Sequence, residues 1–135
     1  MAKSKGRLLA ELLSSDGTVK RSKNKDAVAA KETGTATSTS TAQKSIITFA
    51  KATYRSAKYV IQVTNSTDST YHVTELLLTH DGSTANITEY GTIYTGAAAE
   101  ATFTADISGA NVRLLVTPAS GDTMAYKVIL QTIAV

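Results

Sequence analysis

From Ser45 onward, apolar and polar side chains alternate with a period of two. Ile46, Thr48 and Ala50 interleave with Ile47 and Phe49, and Tyr59, Ile61 and Val63 with Val60, Gln62 and Thr64. Such a period sends successive side chains to opposite faces of a strand. Asn65-Ser-Thr-Asp-Ser then breaks the run, as a turn does. A longer strand follows over Tyr71 to Thr79, with Leu76 and Leu78 on one face and Tyr71, Val73 and Leu77 on the other. It ends at His80-Asp81-Gly82, and Asp-Gly between alternating runs predicts a hairpin to Thr84–Tyr90. Gly91 predicts a bulge or bend before Thr92–Thr95. Gly96-Ala-Ala-Ala-Glu fits either a loop or a short helical turn. Ala101–Ala105, Val112–Thr117 and Met124–Ile133 read as three more strands. Many short strands with turns roughly every 8–12 residues predict an all-β fold, an antiparallel β-sandwich of jelly-roll-like kind. A parallel sheet would need crossover helices, and no segment here reads as one.

The N-terminal third follows other rules. Leu8, Leu9, Leu12 and Leu13 recur at helical spacing, and Asp16-Gly17 is a natural helix stop. A helix of about ten residues is marginal alone, so its leucine stripe needs a surface to cover, on its own domain or on another subunit. Residues 20–31 are polar and weakly patterned. Residues 33–42 (Thr-Gly-Thr-Ala-Thr-Ser-Thr-Ser-Thr-Ala) are of low complexity and read as a linker or an arm that orders against a neighbour. Two regions are therefore expected. Residues 1–44 form a basic docking arm with a short helix and a Thr/Ser linker, and residues 45–135 form the sandwich.

Charge sharpens that division. The 135-residue chain has a net charge of +3. Residues 1–32 hold Lys3, Lys5, Arg7, Lys20, Arg21, Lys23, Lys25 and Lys31 against Glu11, Asp16, Asp26 and Glu32, while the remainder is slightly acidic. A segment so biased contacts an acidic partner. The expected docking residues are Leu8, Leu9, Leu12, Leu13, Arg7, Lys20 and Arg21. No apolar run approaches the ~20 residues that span a bilayer, and Glu11 interrupts Leu8-Leu9-Ala10 before it can serve as a leader, so no membrane is expected. Lys20-Arg21-Ser22-Lys23-Asn24-Lys25 could neutralise phosphates, but it lacks interleaved aromatics for stacking, and nucleic acid is not the expected partner.

Candidate chemistry is sparse. There is no cysteine, hence no disulfide, thiolate metal site or cysteine nucleophile. His72 and His80 share a strand face but stand roughly 26 Å apart at strand rise, too far to chelate one metal, and read as polar residues at strand ends. His80 beside Asp81 suits a cap on the hairpin turn. Glu75, Asp81 and Glu89 surround one hairpin without an evident cleft, whereas glycosidic carboxylates face each other at about 5–9.5 Å. Nucleotide-binding glycine motifs and a nucleophile elbow are absent. The expectation is a protein with no catalytic residue, no cofactor and no metal. Tyr71, Tyr90 and Tyr94 are the candidate exposed binding face, which would suit a glycan-binding adhesin module as the alternative reading.

Whole segments also resemble a known family. Met-Ala-Lys-Ser-Lys-Gly-Arg-Leu-Leu-Ala-Glu-Leu-Leu at the start, Ser56–Val63, Val73–Tyr94 and Phe103–Thr117 are similar to tail-fibre-like and decoration proteins in virions of marine phages, especially those infecting cyanobacteria. Residues 20–44 match least. The resemblance implies a non-enzymatic structural protein of a bacteriophage virion, in contact with capsid, neck or tail proteins, exposing its β domain as capsid decoration or tail appendage. The chain lacks the shaft repeats and large tip of a long fibre, which favours a short decoration protein or appendage. Apolar residues on both faces of the Tyr71–Thr79 strand add an expected homo-oligomer, a trimer.

Overall fold

A computed structural model describes residues 23–25 and 28–135, so the expected helix and Arg7, Leu8, Leu9, Leu12, Leu13, Lys20 and Arg21 lie outside the described residues. Every described element is a strand: β1 (Lys23–Lys25), β2 (Ala29–Ser38), β3 (Lys44–Ala50), β4 (Tyr54–Asn65), β5 (Thr70–His80), β6 (Ala85–Tyr94), β7 (Ala101–Ser108), β8 (Asn111–Pro118) and β9 (Met124–Ala134). They form a six-stranded sheet, ordered β1-β2-β9-β4-β5-β6, and a three-stranded sheet, ordered β3-β8-β7. All ladders are antiparallel. The antiparallel sandwich read from the sequence is the fold.

Period two explains the packing. Tyr59, Ile61 and Val63 of β4, Leu76 and Leu78 of β5, and Tyr126, Val128 and Leu130 of β9 turn inward. They meet Ile46, Phe49, Phe103, Val112, Leu114 and Val116 from the smaller sheet. Residues between them on each strand face outward, which is how one buried face per sheet is made.

Residues 33–42, expected as a linker, depart from expectation. Ala29–Ser38 is β2, paired along its length with β9 from Ala29↔Ile133 to Ser38↔Met124. The low-complexity run is itself an alternation. Thr33, Thr35 and Thr37 face outward, while Gly34, Ala36 and Ser38 face inward, as Gly34↔Val128 and Ala36↔Tyr126 require. Small residues are needed there because β3 crosses close by: a Cβ on Gly34 would lie 3.1 Å from Ile47 Cδ1. The Ser38 and Tyr126 hydroxyls are hydrogen-bonded at 2.8 Å. Threonine favours strands, so this composition suits a sheet as well as a linker. The sandwich thus includes residues assigned from composition to the arm.

Candidate functional site

The β5–β6 hairpin carries most of the residues singled out in the sequence. Its turn is built by side chains. Asp81 Oδ1 accepts from the Ser83 and Thr84 amides, both at 2.7 Å, and Gly82 takes φ +101°. Those amides hold the Asp81 carboxyl below its usual range, Thr84 contributing most. His80 caps the turn by accepting from the Gly82 amide on Nδ1 at 3.0 Å. Its Nε2 must then carry the proton, which it donates to the Tyr54 carbonyl at 2.7 Å. His80, the last residue of β5, is thus a buried structural link between β5 and β4 as well as the cap on the turn.

His72 lies on the same inward face of β5 and is fully buried, with a relative exposure of 0%. Unlike His80 it has no hydrogen-bond partner on either ring nitrogen. Tyr94 and Phe103 flank its ring at centroid distances of 6.2 and 6.0 Å. The nearest anion is Glu89, with an oxygen 3.9 Å from Nε2. Burial pushes the imidazole below its usual range, and Glu89 and Glu100 only partly offset this. An unpaired buried N–H is rare and costly, so this position stands out from the rest of the core.

The neighbouring end of the sandwich is tied by Asn65, which is 1% exposed. Its amide nitrogen donates to Glu100 at 3.1 Å and to Asp122 at 3.0 Å. Its Oδ1 accepts from the Thr67 and Asp68 amides, so one side chain builds the β4–β5 turn and bridges two carboxylates. The Thr70 hydroxyl adds a 2.5 Å bond to Glu100. Ser120, more than Asn65, holds the Asp122 carboxyl below its usual range. Sequence reasoning treated Asn65 only as a strand breaker. Its amide bonds to Glu100 and Asp122 link distant loops, which no local pattern signals.

The three tyrosines are exposed but do not share a face. Tyr71 (48%) and Tyr90 (39%) lie on the outer surface of the large sheet, whereas Tyr94 (44%) packs its edge on His72 from the inner side. Tyr90 pairs with Glu75 and Tyr94 with His72, with a register shift between Val73 and Glu75. Gly91, at φ +63°, is the extra residue. It moves Tyr94 to the opposite side, so the even spacing of 90 and 94 misleads. Glu75 faces outward, in an ion pair with Lys58 at 3.1 Å, while Glu89 faces inward toward His72. Among the described residues, no group of three or more His, Asp or Glu is placed to hold a metal.

No family model matches the chain, and no curated protein does. Solved structures do. The tailspike protein of Acinetobacter phage vB_ApiP_P1 superposes with a TM-score of 0.53 over 75% of this chain, at 18% identity. The chain shares its fold with part of a phage tailspike. That part is small, because the matched region is 22% of the tailspike's length. Two further tailspikes give lower scores. That of Acinetobacter baumannii phage AM24 has a TM-score of 0.46 at 10% identity, covering 78% of this chain and 26% of the other. Gp49 of Acinetobacter baumannii bacteriophage Fri1, described as a capsular polysaccharide depolymerase, has a TM-score of 0.44 at 19% identity, covering 82% and 19%.

These matches correct one expectation. The sequence, lacking catalytic motifs, was read as non-enzymatic, and that reading is withdrawn: one tailspike among the matches is described as a capsular polysaccharide depolymerase. The physical reason is one of scale. The matched part is 22% of the tailspike's length, so missing motifs in a chain of this size do not decide whether the protein is an enzyme.

Proposed function

We propose that the chain is a virion protein of a bacteriophage, a tail appendage module positioned where the particle meets its host. The observation that carries this is the sandwich shared with a phage tailspike over three quarters of the chain. The similarity of residues 1–13 and of three strand-bearing segments to tail-fibre-like proteins of marine phages supports it independently, and in this reading the phage is of the kind that infects cyanobacteria. In this reading the basic, leucine-bearing segment docks the module on an acidic surface of a capsid, neck or tail protein, with Leu8, Leu9, Leu12, Leu13, Arg7, Lys20 and Arg21 at the contact. The assembled form is a homotrimer.

The test is to locate the protein on purified particles with gold-labelled antibody. Label on the tail is expected. Label over the capsid would make the protein a decoration, and its absence from particles would end the proposal. In the same preparations Leu9→Asp should abolish attachment while leaving the melting temperature of the sandwich unchanged, since a carboxylate in an apolar contact costs several kcal/mol unless paired. A glycan-binding face built from Tyr71, Tyr90 and Tyr94 gains no support, because those side chains project from opposite sides of the sheet.

A further inference from the structure

Asp81-Gly82, at the tip of the β5–β6 hairpin, is a chemically labile step. With Asp16-Gly17 it is one of two places in the chain where Asp or Asn precedes Gly. In such a pair the glycine nitrogen attacks the side-chain carboxyl carbon of the residue before it. Glycine has no Cβ to obstruct the approach, and its backbone freedom lets the chain reach the geometry required. At this step a bond forms between Gly82 N and Asp81 Cγ. One carboxyl oxygen leaves as water, its hydrogens supplied by the Gly82 amide and by a proton from solvent. The five-membered imide then takes up water at either carbonyl. Opening at Cγ restores aspartate. Opening at the main-chain carbonyl leaves isoaspartate, with the chain running through Cβ and Cγ and one methylene longer. Mass is unchanged, and neither oxidant nor cofactor is needed.

The fold engages the polar groups that this reaction uses. The Gly82 amide donates to His80 Nδ1 at 3.0 Å. Neutral imidazole is far too weak a base to take an amide proton, so the contact retains the hydrogen and keeps the nitrogen from attacking. His80 is itself fixed, because it is buried and its Nε2 donates to the Tyr54 carbonyl at 2.7 Å. Asp81 Oδ1 is turned forward onto the Ser83 and Thr84 amides, which favour the ionised carboxyl, the form least open to attack. The Asp81 amide donates to the Thr84 carbonyl at 3.2 Å. The adjoining corner between β3 and β4 secures the rest. Lys51 Nζ donates to the Gly82 carbonyl at 3.2 Å, and Arg55 donates to the His80 carbonyl at 3.1 Å. Closing the imide would turn the Asp81 backbone and break several of these bonds together. Crowding is not the obstacle, since Asp81 is exposed and a Cβ on Gly82 would meet nothing within 4 Å.

We infer that Asp81-Gly82 is a latent site of isoaspartate formation, which His80 holds unreacted by keeping the Gly82 amide engaged. The buried histidine then has a chemical role besides joining β5 to β4. An extra backbone methylene would spoil the turn that sets the register of β5 with β6, so a hairpin that reacts while open does not close again as before.

The test follows the full chain at neutral pH by peptide mapping with a protease that cuts at aspartate and not at isoaspartate, which also separates residue 81 from residue 16. In the folded chain Asp81 should persist through an incubation that largely converts it in the chain unfolded by guanidinium. His80→Phe, checked for folding by circular dichroism, should accelerate conversion about tenfold or more, because the Gly82 amide loses its acceptor and the tip opens more readily. Asn65→Ala, which loosens the opposite end of the sandwich, should leave the rate at residue 81 unchanged. Asp81→Asn gives a faster readout, since the imide then forms with loss of ammonia and its hydrolysis shows as a gain in mass. Adding His80→Phe to that chain should again speed the reaction. Should His80→Phe misfold, Lys51→Ala frees the Gly82 carbonyl and should accelerate conversion in the same direction. A folded chain that isomerises as fast as the unfolded one would overturn the inference. So would a His80→Phe rate equal to that of the wild type, or a slower one, which would make His80 the base. An Asn65→Ala rate as high as that of His80→Phe would also overturn it, by tying the reaction to global unfolding.

Discussion

His72 and His80 form a controlled pair: one residue type, one strand and one buried face, yet opposite hydrogen bonding. His72→Phe keeps a ring between Tyr94 and Phe103 and deletes two nitrogens that bond to nothing. Removing an unsatisfied buried donor recovers about 1–3 kcal/mol, and the larger ring gives some of this back by crowding. A net gain of about 1–2 kcal/mol raises the melting temperature by roughly 5–10 °C in a domain of this size. His80→Phe strands the Tyr54 carbonyl and the Gly82 amide, so it should cost about 2–3 kcal/mol. The pH dependence is the more specific readout. Burial holds His72 below its usual range in the fold. As pH falls through about 6.5 the unfolded chain takes up this proton first, so stability is complete above that pH and declines below it, by at most about 1.4 kcal/mol per pH unit. The lowered carboxyls of Glu75, Asp81, Asp106 and Asp122 act only at more acidic pH, because their unfolded values lie near 4. Thermal melts followed by circular dichroism between pH 7.5 and 5 should show a slope in the wild type that His72→Phe flattens. A destabilised His72→Phe, or a slope unchanged by it, would refute the reasoning.

The remaining predictions test the seams of the fold. Asn65→Ala should cost about 2–3 kcal/mol, read as a lowered urea midpoint, because it frees Glu100 and Asp122 from their common donor and unties the β4–β5 turn. Gly34→Val should cost about 1–3 kcal/mol by driving a side chain into Ile47, and Ile47→Ala in the same chain should recover part of it. Removing residues 1–32 deletes β1 and the start of β2 and should destabilise the sandwich sharply, read as a lowered melting temperature. Lys58→Ala should change stability by less than about 1 kcal/mol, since its pair with Glu75 is exposed.

Much of the sandwich was legible because period two survives wherever one face is buried. Leu76 and Leu78 inside with Tyr71, Val73 and Leu77 outside is what β5 does. The Asp81-Gly82 turn and the Gly91 bulge were also readable, because each needs a residue type that few positions tolerate. What the sequence hid were effects of tertiary partners. β2 was obscured because its inner positions are Gly, Ala and Ser, small enough to fit under β3 but not apolar enough to register as a core face. His72 was read as a polar strand-end residue, since nothing local reveals that Phe103, from the other sheet, closes over it. The tyrosine face failed on parity: counting by twos breaks at the very bulge that Gly91 announced.

The placement of β9 has a consequence for how the molecule is made. It is the last in sequence of the nine strands among the described residues, yet it lies between β2 and β4 and joins them. During synthesis the large sheet therefore exists as two unconnected parts, β1–β2 and β4–β6, until residues 124–134 have cleared the ribosome. Those parts cannot be assembled one strand at a time as a meander can. Closure waits on a single late event that spans about a hundred residues of sequence, the kind of long-range pairing that makes folding slow. Until then the inner faces of β4 and β5 are bare, and a crowded polysome would bring nascent copies together before any of them is complete.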